Sequence, residues 1–528
     1  MLAARDVEVR LTGGTSVLTP VSLQVAPGSL IALMGASGSG KSTLLRALAG
    51  ILAPSSGSAT WAGEETASTV QALGYVPQRE SIHDRLTTRE ALHYAASLRL
   101  NEDAEIDGRV ETVLEELGLG AQADTLVRNL SGGERRRAAC GLELVGDPPV
   151  LLLDEPNSGL DAVLERRLMQ LFRRLADDGR AVLVATHATA SLDLCDQVVV
   201  LQPGQPAFCG EPSAARAHLG AVADNAQRAD RADRADGADR ADGADRADRA
   251  RAPLQNRPFA LELRVLAGRY LRTLTRDRRT LALLLIQAPL IGLLIALVFH
   301  PGTLDSPNAS PVATIEAVFL LMTGAIWLGV TSACREVVKE RGLVEREFDV
   351  GVRLDAYVIA KALVLFALNV VQVFWLTIVI VGLQPLGVGP GAVAELFGIA
   401  VLTAWASTAM GLVVSCAARS IDQAAGAVPL LLMPQLLLAG GLIPLAQMPR
   451  VVAGLANVVY ARWSYAGLAS AAHIGARLAA VDYASALGFS AGFFSLGVGT
   501  AAVILVAFTL VQLLVAVLLL MRRPPVGA

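Results

Sequence analysis

The sequence predicts an α/β domain followed by an all-α domain of six membrane spans. Three observations carry this. Residues 1 to about 220 alternate short strand-like apolar runs with helical patterns, the mark of a layered α/β fold. Within them, Gly35-Ala36-Ser37-Gly38-Ser39-Gly40-Lys41-Ser42 matches G-x-x-x-x-G-K-[ST], with an apolar run (Leu30 to Met34) entering it and a helical pattern (Thr43 to Ala49) leaving it. After about residue 280 come apolar runs long enough to cross a bilayer.

The bulk numbers agree with two parts of different character. The chain has 528 residues, 53% of them hydrophobic, and a net charge of -3 that gives no support for nucleic-acid binding. The N-terminus, MLAARDVEVRL, is charged and lacks an apolar core, so no cleavable signal is expected. Cys140, Cys195, Cys209, Cys334 and Cys416 have no metal-ligand spacing and read as reduced thiols.

The glycine-rich stretch is a phosphate-binding loop. Gly35, Gly38 and Gly40 let the backbone curl until successive N–H groups, Ser37 among them, point inward, and the helix N-terminus adds its positive end. Lys41 can sit on the β/γ-phosphates while the Ser42 hydroxyl takes a Mg²⁺ position. Downstream, Gly74-Tyr75-Val76-Pro77-Gln78 reads as a strand end bearing an exposed glutamine. Thr87 to Glu90 has capping-box spacing. Leu130-Ser131-Gly132-Gly133-Glu134 turns into a helix, a second anion-binding N-terminus or a plain helix start. Val150 to Leu153 is a buried strand type ending in Asp154-Glu155-Pro156; there an Asp suits the Mg²⁺ shell, and a Glu can orient and deprotonate a water. Asn157-Ser158-Gly159-Leu160-Asp161 leads to a further helix, and Ala181 to Thr186 delivers His187 to a strand tip.

Taken together, phosphate loop, Gln, LSGGE, LLLDEP, SGLD and Thr-His stand in the order and rough spacing of the ATP-binding cassette ATPases, and residues 1–220 resemble that cassette nearly throughout. The resemblance implies that Lys41, Ser42 and Thr43 bind phosphate and Mg²⁺, that Gln78 senses Mg²⁺ and the water, and that Asp154 holds the Mg²⁺ shell. It makes Glu155 the catalytic base, His187 the γ-phosphate switch and Asp161 a cross-dimer contact. Ser131, Gly132 and Gly133 would close over ATP held by a second subunit, so hydrolysis implies two cassettes. One departure stands out: no Phe, Trp or Tyr precedes Trp61, so adenine stacking falls to aliphatic residues near Leu11 and Val17.

From Arg228 to Arg251 the chain cycles Arg-Ala-Asp, with seven Arg and seven Asp, and residues 221–256 read as a linker with no apolar face to bury. Residues 257–528 form the membrane domain. Leu261 to Arg279 is a basic amphipathic stretch suited to the inner membrane surface. Six spans follow, at about 280–299, 312–334, 356–382, 392–416, 424–443 and 493–520. Loops 300–311 and 383–391 lack Lys and Arg and face outward, whereas Arg335 to Arg353 holds five basic residues, which puts both termini and the ATPase inside. Lys361 is expected to snorkel to the interface, and Glu316 is a candidate for the substrate path. Asn369, Gln372 and Gln435 line a cavity or bridge helices. Segment 444–492, with Trp463 and Tyr465, predicts a partly re-entrant external element, and Asn308-Ala309-Ser310 matches a sequon without expected consequence.

REVVKERGLVEREFDVGVRLDAYVIAK, LTTREALHYAASLRL and LSGGERRR narrow the resemblance to ABCG-type half-transporters, including bacterial ones, with the cassette first. This implies ATP and Mg²⁺ as cofactors and a coupling helix at about 335–348. It also implies a second half-transporter as partner, the same chain or a similar one, in a bacterial cytoplasmic membrane. The expected activity is ATP-driven export of a hydrophobic or amphipathic substrate; the alternative is a membrane-anchored ATPase driving a partner without moving cargo.

Overall fold

A computed structural model describes the chain apart from residues 11–15, 70–71, 79–80, 101–102, 220–257, 301–302, 305–310, 350, 480–493, 495 and 523–528. The predicted linker 221–256, Leu11, the sequon and the end of the 444–492 segment lie outside the described residues. Two compact units result: residues 1–258 joined by Gly342–Arg353, and Phe259–Arg341 with Leu354–Arg523.

The first unit holds two sheets. One is antiparallel, in the order β2 (Ser16–Val25), β1 (Leu2–Arg10), β4 (Ser56–Trp61), β5 (Glu64–Glu65). β2 alternates buried and exposed positions along most of its length, as a strand with one covered face must. The other has the order β10 (Phe208–Gly210), β9 (Gln197–Leu201), β3 (Leu30–Gly35), β8 (Ala181–Ala185), β7 (Val150–Asp154), β6 (Leu73–Val76). All its pairs are parallel except β10 with β9. β7 and β8 are buried at every position because the unit covers both faces of this sheet, which explains their unbroken apolar sequences. On one face lie α3 (Thr88–Ser97), α4 (Asp103–Glu116), α5 (Gly132–Leu144) and α6 (Ala162–Asp177); on the other α1 (Lys41–Leu48) packs with the antiparallel sheet, and α2 (Thr66–Thr69) follows β5. The predicted capping box at α3 is present, Thr87 accepting from the Glu90 N–H and Glu90 returning the bond. Parallel strands align their carboxyl ends, so β3, β7 and β8 deliver Gly35, Asp154 and Thr186 to one edge of the sheet.

The second unit is helical: α7 (Phe259–Arg276), α8 (Arg278–Val298), α9 (Pro311–Ala333), α11 (Leu354–Leu383), α12 (Pro390–Ala417), α13 (Ile421–Leu438), α14 (Arg450–Leu455), α15 (Tyr460–Ala471), α16 (Ile474–Ala479) and α17 (Val498–Arg522). The intervening α10 (Arg341–Asp349) belongs, from Gly342 on, to the first unit. Among the described residues six helices are long and apolar enough to cross a membrane, namely α8, α9, α11, α12, α13 and α17. α9 and α12 approach closely because the contact is lined by glycine: a Cβ on Gly329 would collide with the Ala404 carbonyl, and one on Gly411 would lie 3.0 Å from the Val330 carbonyl. Between the fifth and sixth spans, α15 turns back into the helical core, with Tyr460 and Tyr465 fully buried.

Lys361 departs from expectation. It is 2% exposed, its Nζ 2.7 Å from Glu340, 3.9 Å from Glu336 and 4.1 Å from the centre of the Tyr270 ring. Tyr270 donates to Glu336 (2.7 Å) and Tyr357 to Glu340 (3.0 Å). Carboxylates from the segment after α9 meet the ammonium inside the unit, so it has no need to reach the interface. Glu316 is exposed on α9. Asn369 and Gln372 bridge helices: Thr408 donates to Asn369 (2.6 Å), Asn369 to Gln372 (2.9 Å), and Gln372 to the Leu284 carbonyl (2.7 Å). Gln435 accepts from the Ala461 N–H at 3.2 Å.

Candidate nucleotide site

The phosphate loop begins where β3 ends. Gly38 and Gly40 have φ of 78° and 92°, left-handed values that favour glycine, and Gly40 is the N-cap of α1. A Cβ on Gly40 would also come within 3.0 Å of Leu18 and the Val17 carbonyl. The side chain of Ser37 is exposed, while Thr43 sits half-buried in the first turn of α1. Lys41 folds back over the loop, donating to the carbonyls of Gly35 (2.9 Å) and Ala36 (3.1 Å). It is 5% exposed, and burial pushes its ammonium below the ordinary range against the pull of Glu155 and Asp154. The Ser39 hydroxyl, inside the loop, is buried without a hydrogen-bond partner.

β7 ends beside this loop. Asp154 accepts from Ser42 Oγ at 3.0 Å and from Tyr75 at 3.4 Å, and burial pushes its carboxyl above the usual range despite the Ser42 bond. A hydroxyl and a buried carboxylate side by side form an oxygen donor set suited to a hard cation. Glu155 follows with φ 47°, the strained turn that aims its carboxylate across the strand ends. Gln78 Nε2 donates to Glu155 Oε2 at 2.8 Å, His187 Nε2 lies 2.6 Å from Oε1, and Lys41 Nζ lies 3.7 Å from the same oxygen. Three chain segments thus converge on one carboxylate.

The remaining predicted residues stand apart from that cluster. Ser131 caps α5 in a reciprocal box with Glu134, Gly132 is exposed in the first turn, and Gly133 is buried against Leu164. Asp161 caps α6, accepting from the N–H groups of Val163 and Leu164. No described hydrogen bond or ion pair links these four residues to Lys41, Ser42 or Glu155. Other participants escape the sequence. Ser39 lies inside the loop motif at a position that admits any residue. Arg136 on α5 donates to the backbone carbonyls of Gln78 (2.8 Å) and Glu155 (3.4 Å), and Asn157 donates to Thr186 (2.7 Å). Their only sequence signal is adjacency to a motif.

Comparison with known proteins bears on both units. Residues 18–158 match the family model described as ABC transporter, and residues 262–472 match the ABC-2 type transporter. The Mycobacterium tuberculosis "ABC transporter ATP-binding/permease protein Rv1747" is 36% identical over 499 residues, covering 89% of this chain and 57% of that relative. "ABC transporter G family member 21" of Arabidopsis thaliana is 39% identical over 218 residues, covering 39% of this chain and 32% of the relative. The "Sulfate/thiosulfate import ATP-binding protein CysA" of Thermosynechococcus vestitus is 38% identical over 211 residues, covering 39% of this chain and 63% of the relative. The chain therefore spans little more than half of the first relative and about a third of the plant one. The chain thus carries an ABC transporter cassette ahead of a multi-pass ABC-2 type transporter membrane domain, with an ATP-binding/permease protein and ABC transporter G family members among its relatives.

Proposed function

We propose that the chain is one half of an ATP-driven exporter of hydrophobic or amphipathic molecules, working as a dimer in a bacterial cytoplasmic membrane. The observation that carries the reading is Glu155, held by Gln78 and His187 beside the phosphate loop. A carboxylate aimed by two neutral-capable partners next to a phosphate cradle is placed to take a proton from an attacking water.

Each residue then has a task. The loop N–H groups and the start of α1 bind phosphate oxygens. Lys41 exchanges its bonds to Gly35 and Ala36 for the β/γ-phosphates. Ser42, Asp154 and Gln78 would hold Mg²⁺, which when bound neutralises charge on the β- and γ-oxygens. His187 leaves Glu155 for the γ-phosphate, freeing Oε1 for the water proton. Ser131, Gly132, Gly133 and Asp161 lie outside this cluster, which supports their serving the ATP of a second cassette. The cassette by itself does not set direction, since the importer subunit above matches it equally; export rests on the likeness to ABCG half-transporters. The choice of cargo class rests on the predominantly apolar sequences of the six spans.

Hydrolysis by the purified chain in lipid, wild type against Glu155→Gln, tests the proposal. We expect a fall of about 10²- to 10⁴-fold with ATP still bound. Undiminished hydrolysis would remove Glu155 from the role of base.

A further inference from the structure

Two buried charges of this protein are met by opposite charge. Glu143 of α5 is 0% exposed and is clasped by Arg99 at 2.6 Å and by Arg346 of α10 at 2.8 Å. Lys361 has its two carboxylates. Arg462, in the first turn of α15, stands apart. Its Nη1 is buried without a hydrogen-bond partner, and no described ion pair joins it. A guanidinium cannot shed its charge, so something must meet it. The chain around it supplies no anion: from Ala439 to Ala479 there are three arginines and a histidine but no carboxylate. Arg477 turns to dipoles instead, donating to the carbonyls of Leu386 and Gly387 and to Thr314 Oγ1. Arg450 is exposed at the start of α14.

The level of Arg462 in the unit is fixed by a backbone contact. The Ala461 N–H donates to Gln435 Oε1 in the last turn of α13, so α15 starts beside the end of the fifth candidate span. The Arg462 Cζ lies 4.7 Å from the Trp463 ring, whose Nε1 donates to the Asn457 carbonyl at 3.0 Å. Between α13 and α15 the side chains of Leu442, Ile443, Val451, Leu455 and Val458 are exposed, Val451 and Val458 at 77% and 73%. Outward aliphatic side chains, a tryptophan and an uncompensated arginine at a span end suit the boundary between acyl chains and headgroups. We propose that Arg462, held over Trp463, binds the phosphate of an anionic phospholipid whose acyl chains lie on the aliphatic side chains of 442–458. The guanidinium fork matches two phosphate oxygens. Arg450 adds positive charge to the same stretch, and no carboxylate there receives the ammonium of a zwitterionic headgroup. The site goes beyond the transporter reading and does not depend on it.

The test uses the full chain in detergent, titrated with dioleoylphosphatidylglycerol, dioleoylphosphatidylcholine or glycerol 3-phosphate. Lipid binding is read by native mass spectrometry and stability by thermal unfolding. The parent should bind the glycerol lipid at least about fivefold more tightly than the choline lipid, the effect of one arginine at an anionic surface. Arg462→Gln should bring the ratio to about one, with the unfolding midpoint in the choline lipid unchanged, since no partner is left behind. Arg462→Lys keeps the charge without the fork and should retain part of the preference. Equal affinities in the parent, or an undiminished preference in Arg462→Gln, overturn the proposal. Glycerol 3-phosphate stabilising the parent as much as the lipid does also overturns it, because a soluble anion then fills the site. An equal fall in the midpoint of Arg462→Gln in both lipids does so too, because the guanidinium then pairs with protein, in this chain or a second copy.

Discussion

Two buried polar clusters, one in each unit, are treated differently. In the membrane unit Lys361 is enclosed by Glu336, Glu340 and two tyrosine rings, and Asn369 sits between Thr408 and Gln372. At the end of β3 polar groups are left short. Ser39 Oγ has no partner, Lys41 spends its hydrogen bonds on two carbonyls of its own loop with Glu155 3.7 Å away, and burial raises the Asp154 carboxyl above its ordinary range. The difference separates groups that hold a fold from groups that wait for a ligand. An unsatisfied buried polar atom costs about 1–3 kcal/mol, which a ligand that bonds to it offsets. Substitutions should therefore hurt stability in the first region and ligand binding in the second.

The largest stability effect should come from Lys361→Met. It takes the ammonium from Glu340 and leaves Glu336 with Lys339 beside it (2.6 Å), and removal of one partner from a buried pair costs about 3–5 kcal/mol. Changing Glu340 to Gln in the same chain should recover part of the loss, because fewer charges are then left unpaired. Thermal unfolding of the detergent-purified protein reads both. A Lys361→Met protein as stable as the parent would mean that the cluster is hydrated and would dissolve the contrast.

Glu143 asks whether the cassette follows the same rule away from its ligand. At neutral pH Glu143→Gln should cost about 3 kcal/mol, since two guanidiniums lose their counter-charge. The folded carboxyl value lies below the ordinary one. Its stabilisation is therefore complete above the unfolded value of about 4.3 and is lost as pH falls through the folded value. The gap between parent and Glu143→Gln in denaturant titrations should stay level from neutral pH to about 5 and close in the acid range. A gap that persists unchanged below the folded value would show that packing, not charge, holds the site.

Asn369→Leu comes next, at about 1–3 kcal/mol, because Thr408 and Gln372 lose a shared partner inside apolar helices. Asn369→Asp should do no better, since the acid cannot donate to Gln372 without staying neutral.

What the sequence disclosed follows the same division. Lys41, Ser42, Gln78, Asp154 and Glu155 were legible because strand ends and fixed spacing announce them, and the spans because length and hydropathy suffice. The antiparallel sheet of β1, β2, β4 and β5 was not, since its central pairing, β1 with β4, joins strands about fifty residues apart. Lys361 was misread for a related reason: its nearest carboxylates, Glu336 and Glu340, lie more than twenty residues upstream, so an isolated lysine in an apolar run looked like one that must escape to water. Arg346 stood in a charged helix where any of several arginines could have been the gripping one; only the buried Glu143 selects it. Local patterns reveal groups poised for ligands, because the backbone next to them must be special. Groups that satisfy one another across the fold leave no local trace.

The smallest effect gives the sharpest contrast. Ser39 is 5% exposed and its hydroxyl has no partner, so Ser39→Ala removes an atom that the empty fold does not use. Stability without nucleotide should be unchanged or slightly higher, because an uncompensated polar group is gone. If the hydroxyl meets a phosphate oxygen, ATP affinity should fall by the worth of one hydrogen bond to a charged group, about 1.5–3 kcal/mol or roughly 10- to 150-fold. Unfolding of the same preparation with and without ATP measures both, since ligand stabilisation grows with concentration over Kd. Lower stability in the nucleotide-free protein with unaltered ATP affinity would place Ser39 among the fold-holding groups and remove its hydroxyl from the phosphate contacts.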